Sequence, residues 1–177
     1  MITEIIKQLI PLLTLIVDIT IVSYLLLLII RKLSKKTYLP KLDHFIKEHY
    51  LYLAFILALV ATLGSLFYSE ILGYTPCKLC WYQRIAMYPL VLIFGTALIK
   101  KLNDAAKYVT PLVIVGALIS AYHYVTQILA WNTSCAALED PASCALKFTF
   151  AYGYITIPMM AFTAFIGILI LLRKSKK

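Results

Sequence analysis

The sequence predicts an all-α integral membrane protein, and two observations carry the prediction. Of 177 residues, 62% are hydrophobic and only 14% charged, with a mean hydropathy of +0.87, outside the range of a soluble globular domain. The apolar residues also fall into five runs, 9–30, 51–72, 81–99, 109–131 and 148–172, each near the length of about 20 residues that crosses a bilayer as a helix. The connections between them are too short to hold a core of their own.

The first run has no basic segment before it and no small-residue cleavage site after it, and it is longer than a signal-peptide core. It is read as a retained helix. Asp18 lies near its middle, where a carboxylate is expected to accept a hydrogen bond from a polar group on a neighbouring helix rather than to move protons. Residues 31–50, basic and interrupted by Tyr38-Leu39-Pro40, have the character of a linker. This divides the chain into residues 1–49, an accessory helix with its linker, and residues 50–177, a four-span unit. The second run ends near Glu70, read as an interfacial charge. The fourth carries His123 and Gln127 one turn apart near its end. Met87, Met159 and Met160 are read as packing residues, and most tyrosines and tryptophans as interface residues.

The net charge of +9 does not point to nucleic acid, because the basic residues are not gathered on a soluble, aromatic-interleaved surface. Thirteen of the seventeen lysines and arginines fall in residues 31–50, 100–108 and 173–177, which five spans place on one side. The positive-inside rule makes that side cytoplasmic and puts the N-terminus outside. All four cysteines, Cys77, Cys80, Cys135 and Cys144, then lie on the extracytoplasmic side, where disulfides persist.

The stretch YTPCKLCWYQR opens the third span. Thr75 is expected to cap the helix and Pro76 to begin it, so that Cys77 and Cys80 share a face of the first turn at the positive end of the helix dipole, worth about 0.3–1 kcal/mol to an anion. Arg84 follows one turn deeper on that face. A cation at the edge of the hydrocarbon either snorkels to headgroups or meets an anion or a polar ligand group. The cysteines admit three readings at this point: a working redox pair with a mobile second pair, two structural staples, or one zinc ion held by four thiolates, the last disfavoured by the C-x8-C spacing of Cys135 and Cys144.

The run PCKLCWYQRIAMYPLVLI resembles the second-helix signature of the DsbB family of membrane disulfide-generating oxidoreductases, nearest to its short BdbC-type members. LVATLGSLFYSEI, HYVTQ, the C-x8-C pair and GYITIPMMAF follow the family's order over about residues 50–172. The resemblance implies a four-helix transmembrane bundle, here with one extra N-terminal helix. It implies electron flow from a DsbA-like thioredoxin-fold partner outside the cytoplasm, through Cys135 and Cys144 and then Cys77 and Cys80, to a membrane quinone, ubiquinone or menaquinone. Cys135 is implied to form the mixed disulfide, Cys144 to exchange with Cys77, and Cys80 to face the quinone with Arg84 near its ring. His123 and Gln127 match polar positions of some members and are expected to contact the quinone. No metal is expected. A vitamin-K-epoxide-reductase-like protein is set aside because its loop cysteines precede the CxxC. A transporter is set aside because the one central charge lies in the accessory helix.

Overall fold

The computed structural model describes residues 2–34, 40–102, 104–129, 144 and 147–175. Among them are five helices: α1, Ile2–Ser34; α2, Pro40–Leu66, continued by a π-helical turn at Phe67–Ile71; α3, Lys78–Ile99; α4, Ala105–Ile128; and α5, Ile157–Ser175. All five are long and apolar enough to cross a membrane, and the protein is an all-α multi-pass membrane protein. Pro11, Pro89 and Pro111 sit inside α1, α3 and α4. In hydrocarbon the backbone has no partner but itself and its neighbours, so a helix persists through a proline that would cost a water-exposed one about 3 kcal/mol.

Helices α2 to α5 close a ring, α2 and α4 each packing against both α3 and α5, while α1 lies outside it against α5. Leu90 and Phe94 of α3, Val113 of α4, and Phe165 and Ile168 of α5 are fully buried at its centre. Close helix approach is bought with glycine at two points. A Cβ at Gly116 would lie 2.3 Å from the Phe165 ring, and one at Gly167 would lie 2.7 Å from Leu57. The outer face of α1, including Ile5, Ile16, Ile19 and Leu26, is exposed and apolar, the surface a lipid-facing helix presents.

Two boundaries differ from the hydropathy reading. Most of the expected linker is helical: α1 runs to Ser34 and α2 begins at Pro40, since proline suits a first turn where its missing N–H is not needed. Asp43 in that turn accepts a 2.6 Å ion-paired hydrogen bond from Lys174 at the far end of α5, which holds the helical extension to the bundle. The fifth helix begins at Ile157, nine residues later than the start of its apolar run. Ala151 and Ile155 instead exchange backbone hydrogen bonds of 2.9 Å around a tight turn, with Tyr152 and Gly153 at φ 53° and 81°. Hydropathy registers only that the segment is apolar, not that a glycine turns it.

The turn reaches α1. Tyr154 donates to Asp18 Oδ2 at 3.0 Å, and Thr163 of α5 donates to Asp18 Oδ1 at 2.6 Å. Desolvation, helped by this carboxylate, raises the Tyr154 phenol above its ordinary value. Asp18 is therefore a hydrogen-bonded clasp between α1 and α5.

Candidate active site

The link into α3 decides where the sulfurs point. After Gly73, at φ 68°, the chain runs extended through Pro76 to Cys77 (φ −71°, ψ 171°), which is the N-cap of α3: its Sγ accepts the Cys80 N–H at 3.4 Å. The sequence reading placed the cap at Thr75 and Cys77 inside the first turn. The helix starts at Lys78 because Cys77, three residues before Cys80, meets a first-turn N–H itself. A cap residue has left the helical path, so Cys77 and Cys80 remain neighbours yet face different surroundings.

Cys77 is buried and its thiol donates to Cys80 Sγ at 3.2 Å. That hydrogen bond, with burial, pushes the Cys77 thiol up to about 12, so the proton of the reduced pair stays on Cys77. His123 of α4, 1% exposed, lies with Nε2 3.6 Å from Cys77 Sγ and 3.1 Å from the Cys144 carbonyl oxygen. A carbonyl only accepts, so the ring proton is on Nε2. Nδ1 is then the acceptor for the Gln83 amide of α3, at 2.8 Å. Cys144 is buried here as well, and its sulfur, that of Cys77 and a ring nitrogen of His123 all lie within 4.8 Å of one another. Cys77 and Cys80 are not joined to each other, and Cys135 lies outside the described residues.

Cys80 faces the other way, onto a cavity of about 160 Å3 enclosed by α1, α2, α3, α5 and the segments beside them. An engineered apolar cavity of about 150 Å3 takes up benzene, so the space admits one ring. Cys80, Gln83 and Arg84 contribute from α3, Ser65 and Tyr68 from α2 and its π-helical turn, and most of the remaining wall is apolar. Arg84 donates through Nε to Ser65 Oγ at 3.1 Å and through a terminal nitrogen to Ser65 O at 3.2 Å, and stands over the Trp81 ring. Among the described residues no carboxylate pairs with it. Tyr68, Tyr74 and Phe148 stack over the cavity, with centroid separations of 6.0 and 4.9 Å. The Tyr68 hydroxyl is buried with no hydrogen-bond partner among the described residues.

Cys77, Cys80 and Cys144 are thus brought together, with Arg84 on the Cys80 side. His123 and Gln127, expected beside a quinone, do not line the cavity: His123 stands with the sulfurs, and Gln127 is buried one turn further along α4. Glu70 is exposed and takes a 2.9 Å hydrogen bond from Ser69. Sequence reasoning missed Gln83, Tyr68 and the inner face of α1, where Ile10, Leu13, Thr14 and Val17 form part of the cavity wall. A polar Gln83 three residues after Cys80 in an apolar span was a usable signal; Tyr68 was one interface tyrosine among many.

Residues 47–173, which hold every cysteine, match the family model described as disulfide bond formation protein DsbB. The chain belongs to the DsbB family. Similar to it are the disulfide bond formation protein C of Bacillus subtilis (strain 168), 45% identical over 121 residues, 68% of this chain and 88% of that protein, and a probable disulfide formation protein of Oceanobacillus iheyensis, 41% identical over 142 residues, 80% and 91% of the two chains. The probable disulfide formation protein C 1 of Bacillus anthracis is 43% identical over 122 residues, 69% and 88%. No solved structure matches the chain. Helix α1 precedes the DsbB match altogether, so one wall of the cavity comes from outside the family segment.

Proposed function

We propose that the protein is a membrane thiol:quinone oxidoreductase that reoxidises a DsbA-like thioredoxin-fold protein outside the cytoplasm and so supports disulfide bond formation. The observation that carries the reading is the division of the CxxC. Cys77 lies against Cys144 and His123, whereas Cys80, hydrogen-bonded to it, borders an apolar cavity beside Arg84. The lysine and arginine distribution supports an outside N-terminus, extracytoplasmic cysteines and a cytoplasmic C-terminus.

The residues around the cavity suit a quinone. The space admits a ring, Arg84 offers a fixed cation that no carboxylate among the described residues pairs with, and the Tyr68 hydroxyl, without a partner among those residues, is a buried donor suited to an acceptor such as a ring carbonyl. When bound there, ubiquinone or menaquinone supplies the two-electron acceptor that protein side chains lack. The chain's own residues do the rest. A reduced partner attacks Cys135 of the Cys135–Cys144 disulfide, and Cys144 leaves as a thiolate. Cys144 attacks Cys77 of the Cys77–Cys80 disulfide, and the electron pair of the broken bond stays on Cys80, at the cavity. Burial keeps water from Cys77 and Cys144, and the Arg84 guanidinium orients the acceptor and favours negative charge beside it.

A second reading has one observation in its favour: Cys77, His123 and Cys144 converge closely enough to hold a zinc ion. It leaves the placing of Cys80 and Arg84 on an apolar cavity without a purpose. Purified protein, a reduced thioredoxin-fold partner and a soluble quinone analogue decide between the two. Cys80→Ser should abolish quinone reduction. An unchanged rate, or stoichiometric zinc in the untreated protein, would give the second reading the site.

A further inference from the structure

Resting on that relay, we propose that Cys77 sits in a two-donor thiolate cradle, made of the Cys80 backbone N–H and the His123 Nε2–H, and that Gln83 holds the second donor in place. Cys77 Sγ receives the first donor at 3.4 Å and lies 3.6 Å from the second. The two come from different helices and meet at one buried sulfur. They differ in kind: the amide is fixed by the start of α3, whereas the imidazole is a side chain held through its far nitrogen by the 2.8 Å hydrogen bond from Gln83.

The cradle has work in the return half of the relay. After Cys144 has bonded to Cys77 and the partner's second thiol has displaced Cys135 from the mixed disulfide, closing the partner's own disulfide, the outer pair reforms when the Cys135 thiolate attacks Cys144: the Cys135–Cys144 bond forms, the Cys77–Cys144 bond breaks, and the electron pair leaves on Cys77. In disulfide exchange the rate follows the ease with which the leaving sulfur takes up charge. Cys77 is buried, and the Arg84 guanidinium lines the cavity on the Cys80 side of the pair. Donors already aimed at the sulfur stabilise the charge as it develops, the logic of an oxyanion hole applied to sulfur. The Cys144 carbonyl shares the His123 N–H at 3.1 Å, and the Cys144 sulfur lies within 4.8 Å of a ring nitrogen and of the Cys77 sulfur, so the ring already stands beside both residues of the breaking bond. His123 is thereby a catalytic residue of the exchange, and Gln83 a positioning residue acting through it.

The test needs no quinone. In a Cys80→Ser protein, which keeps the backbone N–H, mild oxidation joins Cys77 to Cys144. Glutathione then splits the bond, and quenched alkylation with mass spectrometry reports how fast Cys77 is released and which sulfur carries the adduct. His123→Leu should slow Cys77 release about ten- to a hundredfold and shift glutathione attack toward Cys77, so that Cys144 leaves instead. His123→Gln, which retains an N–H donor, should recover part of the rate. Gln83→Met should slow release about threefold to tenfold in the presence of His123 and have no further effect in the His123→Gln protein, whereas a merely structural Gln83 would act equally in both. That double cycle decides the matter even if His123→Leu fails to fold. Release rates and partition unchanged by these substitutions would overturn the cradle alone. Failure of Cys77 and Cys144 to join at all would overturn the relay beneath it.

Discussion

Cys77 and Cys80 are three residues apart on one turn, yet their surroundings have little in common. Cys77 is buried against Leu79 and Cys144 and meets the His123 ring and the Cys80 N–H. Cys80 looks into an apolar cavity with a guanidinium at its edge. The contrast follows from one local fact: Cys77 caps the helix from extended backbone while Cys80 is inside it. A motif that could have been a symmetrical staple has two unlike sulfurs, and in the proposed relay one exchanges with protein thiols while the other serves the membrane acceptor.

The largest effect that sharpens this contrast comes from Cys77→Ser set beside Cys80→Ser. Both should abolish partner-driven quinone reduction. Only Cys77→Ser should keep the Cys80 thiol at the cavity, measured as protection of that thiol from alkylation by a bound soluble quinone analogue. Equal protection in wild type and Cys77→Ser, with partner-driven turnover lost, is the expected result; loss of protection would mean that the two sulfurs share one site. Next comes Arg84→Ala, which should raise the KM for the quinone analogue about tenfold, the size of one charge-assisted contact of about 1.5 kcal/mol, and leave the KM for the reduced partner unchanged. Tyr68→Phe, removing a neutral hydroxyl that has no hydrogen-bond partner among the described residues, should act in the same direction by about threefold without loss of thermal stability. An unmoved quinone KM in Arg84→Ala would reduce Arg84 to an anchor on Ser65.

How much of this the sequence disclosed depends on the length scale of each signal. The spans were legible because bilayer thickness imposes a long apolar run, and the CxxC with Arg84 was legible because i, i+3 and i+4 spacing on a helix is a short-range rule. The helical start of α2 was hidden because its first turns are charged and its hold on the bundle is a pair, Asp43 and Lys174, far apart in the chain. The turn at 151–155 was hidden inside an apolar run. His123 was singled out, but its position on α4 does not say whether the ring reaches the cavity or Cys77; it stands 3.6 Å from Cys77 Sγ, with its far nitrogen taking the Gln83 hydrogen bond. Asp18 was correctly expected to bind polar groups, but that its helix walls the cavity depended on contacts no local pattern encodes.

The smallest effect concerns that helix. Asp18 accepts from Thr163 and from Tyr154, so one carboxylate joins α1 both to α5 and to the turn before it. In Asp18→Asn one oxygen still accepts and the amide turns toward the other hydroxyl, which can rotate to accept. The loss should be about one neutral hydrogen bond, about 1 kcal/mol, seen as a small fall in thermal stability in detergent, with turnover at saturating quinone analogue unchanged. Asp18→Leu strands both hydroxyls and should loosen α1 where Thr14 and Val17 line the cavity. The KM for the quinone analogue should then rise about twofold to threefold while the KM for the partner protein stays constant, because α1 lines the cavity on the Cys80 side. A quinone KM unmoved by Asp18→Leu would mean that α1 only anchors the bundle, and that the Cys80 side is built entirely from the DsbB segment.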